Sequence, residues 1–70
     1  MLPKIVEEDD VSILILFKKV AMTKKAVCVM NMKDQQIWLP KSQIEIVQEK
    51  DDDIIEIVVP MWLVDEHSLC

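Results

Sequence analysis

The chain contains no glycine. A Gly-rich phosphate loop and a dinucleotide fingerprint both need glycines at fixed positions, so both are excluded. It contains no arginine either, because all eight basic residues are lysines. That removes any bidentate guanidinium clamp on phosphate or carboxylate. Tyrosine is absent, and the aromatic residues are two tryptophans and one phenylalanine. Two cysteines, Cys28 and Cys70, and one histidine, His67, do not form zinc-ligand spacing. A single 28–70 bridge would be a thin disulfide framework, and Cys28 inside Ala26-Val27-Cys28-Val29-Met30 reads as a small buried hydrophobe. Asp51-Asp52-Asp53 lacks the alternate ligand spacing and the central glycine of a calcium loop. His67 stands alone, without the partner spacing that nucleophilic catalysis requires. These absences point away from an enzyme and imply neither cofactor nor metal.

No basic region followed by a long apolar core opens the chain. Uncharged runs such as Val11–Phe17 fall far short of the roughly 20 residues that span a bilayer. The expectation is a soluble protein of the cytoplasm, with reduced thiols and no membrane partner.

What the chain does have is apolar mass. Seventy residues make one domain at most, here residues 1–70, yet 51% are apolar and the mean hydropathy is +0.21. A domain of this size buries only roughly 60% of the surface its unfolded chain exposes. With disulfides and metals set aside, self-association is the remaining staple for a small scaffold, so a homo-oligomer is expected. Charge is segregated. Between Lys18 and Lys41 six lysines stand against Asp34 alone, and between Glu45 and Glu56 six acids stand against Lys50 alone. Glu7 to Asp10 adds a further acidic run, and the net charge is −5. Such a balance is unfavourable for nucleic acid. The basic middle leaves room for a small anionic ligand or an acidic partner.

The apolar pattern is that of strands. Lys4 to Glu7 reads as a short strand, with Pro3 at its edge. Val11 to Phe17 is β-branched and reads as a strand, with a helix from Asp10 to Met22 as its competitor. Lys18 to Lys25 reads as a turn, and Lys25 to Met30 as a strand buried on both faces. Asn31 to Asp34 reads as a hairpin loop, with Asn31 taking the positive φ in the absence of glycine. Gln35 to Leu39 returns as a strand that ends or bends at Pro40. Ser42 to Gln48 alternates as a half-buried strand, Glu49 to Asp53 is a charged turn, and Ile54 to Val59 is the last strand. Pro60 then opens short helical turns through Leu69, with Trp62 plugging the end of the fold. The fold class is all-β: a small five- to six-stranded barrel or open sheet, SH3-like or OB-like, with a short C-terminal helical turn.

The stretch Gln35-Gln36-Ile37-Trp38-Leu39-Pro40-Lys41-Ser42-Gln43 is the candidate ligand-binding corner. Trp38 beside a proline either packs inward or serves as a stacking platform. Lys41 offers charge, Ser42 and Gln43 offer directional hydrogen bonds, and Lys33 lies in the preceding loop. Ser42 alternatively caps the turn after Pro40. Glu45 and Glu56 either face each other across adjacent strands or, the preferred reading, sit on the solvated face.

Residues 25–69 also carry a resemblance. Lys25-Ala26-Val27-Cys28-Val29, then Ile37-Trp38-Leu39-Pro40-Lys41-Ser42-Gln43-Ile44, and finally Val59-Pro60-Met61-Trp62-Leu63 with Leu69 are its residues. The chain resembles a group of small, mostly uncharacterised phage-encoded proteins. In these, a W-[I/L]-P-K-S-Q block is followed by an acidic stretch and a closing P-x-W-[L/I] segment. It departs from them in ending on Asp65-Glu66-His67-Ser68 in place of a basic, Gly-containing tail. The resemblance implies a phage setting in the host cytoplasm and no settled activity. Three functions are consistent with it. One is a homo-oligomeric accessory or counter-defence protein that sequesters a small, nucleotide-like host signal. The second is an acidic inhibitor of a host defence or nucleic-acid-binding protein. The third is a single-stranded nucleic-acid module in phage recombination.

Overall fold

A computed structural model describes residues 2–69. Cys70, and with it the 28–70 bridge, lies outside the described residues. The protein is an all-β open sheet with one short helix. Its strands are β1 (Lys4–Glu8), β2 (Ser12–Met22), β3 (Ala26–Met30), β4 (Gln36–Pro40), β5 (Glu45–Asp51) and β6 (Ile54–Pro60). Helix α1 (Met61–His67) follows β6, and a single 3-10 turn, Lys41–Gln43, joins β4 to β5. The strand order is β4-β3-β2-β6-β5, with β1 also paired to β2, and every pairing is antiparallel.

The seam between β2 and β6 organises the core. Ile13, Ile15 and Phe17 point inward opposite Val59, Ile57 and Ile55 in an unbroken register. Period-two alternation places these six on one face because successive strand side chains point to opposite sides. Val27, Val29 and Leu39 complete the wall from β3 and β4, and Leu63, Val64 and Leu69 close it from the C-terminal segment.

The strand β2 outlasts its expected length. It runs through Met22, and the turn is confined to Thr23–Lys25. A bulge makes this possible. Lys19 pairs with Val29 and Ala21 with Cys28, so Val20 is an extra residue on β2. That insertion shifts the in–out phase by one, and Met22 returns to the core opposite Val27. The same device recurs at Val6 in β1 and at Val47 and Lys50 in β5.

Two further boundaries differ from the sequence reading. Ser42 and Gln43 belong to the 3-10 turn, because Pro40 (φ −68°) ends β4 and starts that turn. No side-chain hydrogen bond caps it. The acidic stretch after Glu49 continues as strand to Asp51, leaving Asp52 and Asp53 as the turn.

The hairpin between β3 and β4 is held by Asn31, which is 1% exposed. Its Nδ2 donates to the Gln35 Oε1 (3.1 Å) and to the His67 carbonyl (2.8 Å). Its Oδ1 accepts from the Lys33 and Gln35 backbone N–H groups, both at 2.9 Å. Asn31 therefore ties the hairpin to the end of α1. The left-handed residue of this hairpin is Asp34 (φ 60°), not Asn31 as expected. Asn31 is committed through its side chain, so the neighbouring Asp, which also tolerates this region, takes the turn. A second left-handed residue, Ser68 (φ 54°), terminates α1, where glycine is the usual occupant.

Two outcomes follow for chemical denaturation. Asn31→Ala leaves buried partners unsatisfied and lowers stability by about 2–3 kcal/mol. Ser68→Gly relieves the left-handed backbone and raises stability by a few tenths to about 1 kcal/mol, net of the added freedom of the unfolded chain.

Candidate functional site

The candidate binding residues do not gather at one place. Trp38 sits at the middle of β4, and its register partner Cys28 pairs in turn with Ala21. Cys28 is buried, yet Trp38 itself is 50% exposed. The core-packing alternative for Trp38 therefore fails, since the inward positions of β4 are Ile37 and Leu39. Burial pushes the Cys28 thiol up from its ordinary value.

Lys33 lines a second place, a cleft of ≈ 520 Å³ shared with Met32, Val64, Asp65 and Ser68. The third place is a groove of ≈ 510 Å³ between the 3-10 turn and the junction of β6 with α1. Ser42 and Gln43 stand on one side of it, Val11 and Trp62 on the other, over Ile44, Val58 and Pro60. Lys41 lines none of these; its N–H donates to the Lys25 carbonyl (2.8 Å), holding the turn against the end of β3.

The groove exists for a simple reason. Strand β5 begins at Glu45 opposite Val58, so the last residues of β6 run on without a β5 neighbour. The Met61 N–H donates to the Val11 carbonyl (3.0 Å), and this contact sets the start of α1 beside Val11. Trp62 is then turned outward and is 53% exposed, while Leu63 and Val64 face the core. Trp62 is thus not the plug that was expected. A helix as short as α1 presents one narrow apolar stripe, and Leu63 and Val64 occupy it.

The groove continues onto the outer face of the sheet. A smaller hollow of ≈ 160 Å³ is lined by Glu7, Asp9 and Leu14, and it shares Ser12 and Val58 with the groove. The charged groups lining the two are Glu7, Asp9 and Glu45, all carboxylates. Glu45 does not face Glu56: Glu45 pairs with Val58, and Glu56 pairs with Gln48. Nor is Glu56 solvated; it is buried, with Lys50 Nζ 3.6 Å from its Oε2.

Ser42 and Gln43, singled out in the sequence, line this groove together with Val11, Val58 and Trp62, which were not singled out for it, and Leu14 lines the adjoining hollow. The signal for Leu14 was present: if Ile13, Ile15 and Phe17 share a face, Leu14 lies on the other. Nothing local marked Val11 and Trp62, which meet only through β2–β6 pairing. Among the described residues no group of three or more His, Cys, Asp or Glu is placed to hold a metal ion. Among the same residues no helix is long and apolar enough to cross a membrane. No protein-family model, no curated protein and no solved structure matches the chain.

The two sides of α1 separate in a stability measurement. Leu63→Ala costs about 2–5 kcal/mol. Trp62→Ala changes stability by less than roughly 0.5 kcal/mol, as a surface substitution does.

Proposed function

We propose that the protein is a non-enzymatic binding protein, a phage accessory or counter-defence factor that captures a basic, apolar segment of a host protein. The observation that carries this reading is the exposed Trp62 over an apolar groove whose neighbouring charges are carboxylates. A Trp side chain offers a large apolar area with one N–H donor, which suits an interface anchor. Ser42 and Gln43 supply donors and acceptors for the backbone of a bound segment. Glu7, Asp9 and Glu45 attract lysine or arginine and speed its approach. The net charge of −5 acts in the same direction over longer range.

A second reading keeps the small anionic ligand, a nucleotide-like host signal. It is favoured by Trp38, half exposed on β4, and by the Lys25–Lys41 contact at the end of the same ladder. An aromatic face with nearby lysines suits a base and a phosphate. The carboxylates around the Trp62 groove oppose an anion there.

The two readings separate by fluorescence. Trp38→Phe leaves Trp62 as the sole tryptophan. Peptides pairing Lys or Arg with apolar residues should shift its emission, more weakly at high salt and more weakly again with Glu45→Lys. Titration of the unaltered protein with cyclic and ADP-ribose-type nucleotides tests the other reading. Heat from nucleotides with no response to any peptide would replace the first reading by the second, and silence in both arms would remove both.

A further inference from the structure

Among the described residues three strands have a free side: β1, β5 and β4. Such a side is a row of unpaired N–H and C=O groups that can template another strand. Two of the three are guarded. Strand β1 carries a bulge and the charges of Lys4, Glu7 and Glu8. Strand β5 carries two bulges together with Glu45, Glu49, Lys50 and Asp51. Strand β4 has neither protection. Its register runs unbroken from Ala26↔Pro40 to Met30↔Gln36, and Gln36-Ile37-Trp38-Leu39-Pro40 bears no charge.

Hydrogen bonds at both ends of the β3–β4 ladder show what β4 offers outward. The Lys41 N–H donates to the Lys25 carbonyl (2.8 Å), and the Asn31 N–H donates to the Gln35 carbonyl (2.9 Å). In an antiparallel ladder, bonded pairs alternate with non-bonded ones. Ile37 and Leu39 therefore bond to β3, and Gln36, Trp38 and Pro40 direct their backbone groups to the free side. Pro40 has no N–H to lose, as an edge position requires. The free side presents two donors, the N–H groups of Gln36 and Trp38, and three carbonyl acceptors.

That pattern is self-complementary. With two copies antiparallel and Trp38 opposite Trp38, each Trp38 N–H meets the Trp38 carbonyl of the other copy. Each Gln36 N–H meets the Pro40 carbonyl of the other. Every donor is used, and all three outward residues of both copies are paired. The side chains agree with this register. The two Trp38 rings lie side by side on the outer face, while Ile37 and Leu39 stay on the face that packs on each copy's own core. Lys33 and Asp34 precede β4 and Lys41 follows it, so the antiparallel arrangement brings Asp34 of one copy toward the end that carries Lys41 of the other. We propose that two copies of this chain join through β4, antiparallel about a twofold axis, into one continuous sheet. The abundance of apolar residues pointed to self-association; β4 is the surface that provides it. The proposal does not rest on the Trp62 groove.

Sedimentation velocity and amide hydrogen exchange on the full chain test it. The expected mass is twice the 8.2 kDa of one chain. The Trp38 amide, which faces solvent in a single copy, should exchange roughly tenfold slower or more in concentrated than in dilute protein. Gln36→Pro removes a donor that β3 does not use and should restore the single-chain mass. Trp38→Lys, at a half-exposed position, sets like charges at the axis and should do the same. Val47→Lys on β5 should leave the dimer intact. A single-chain mass throughout overturns the proposal. So does a dimer whose Trp38 amide exchanges equally fast at both concentrations, or one that survives both β4 substitutions.

Discussion

The pairing of β2 with β6 is the constraint on which the rest of this small protein depends. Ile13, Ile15 and Phe17 against Val59, Ile57 and Ile55 form an unshifted run of pairs joining the N-terminal part of the sequence to the C-terminal part. Full burial of one such side chain is worth about 1.5–3 kcal/mol. The Lys19–Glu49 ion pair (2.6 Å), with Glu49 half exposed, contributes about 0–1 kcal/mol. Apolar pairing therefore sets the register, and the ion pair decorates it. That register places Leu14 and Val58 outward and brings Val11 beside the start of α1, which together shape the groove.

Bulges account for much of the apolar residue that a 70-residue chain was not expected to hide. Val6, Val20 and Val47 are each the extra residue of a bulge, and each is exposed. They are local consequences of bending the strands, and they are spread over β1, β2 and β5. Scattered single apolar residues are normal on a surface. Trp38 and Trp62 differ from them because each belongs to an ordered array: an uncharged strand side for Trp38, and a groove with polar and acidic walls for Trp62.

Among the described residues the absence of glycine is felt at two points, Asp34 and Ser68. Both adjoin the hydrogen-bonded cluster of Asn31, which links the β3–β4 hairpin to His67 at the end of α1. Additional backbone bonding comes from the Met32 N–H to the Ser68 carbonyl (3.3 Å). The strained residues are held by a buried polar network that leaves no side-chain group of Asn31 unpaired. This cluster fixes the C-terminal segment on the core and, through it, the outward setting of Trp62.

Read alone, the residues were sufficient for the all-β class and for the location of most strands, because period-two alternation is a local signal. They also marked Pro40 and Pro60 as strand ends, since proline cannot continue a ladder. The length of β2 was not legible, because Lys18, Lys19 and the small Ala21 look like a turn until a bulge re-phases them. The identity of the left-handed hairpin residue was decided by the remote His67 carbonyl, which commits the Asn31 side chain. Which tryptophan faced where was likewise a tertiary outcome. Indole burial depends on which neighbours fill the core first, and Leu39, Leu63 and Val64 filled it. Local sequence thus determined which segments pair, through side-chain periodicity and backbone chemistry; only three-dimensional packing determined which side chains were left outside the core.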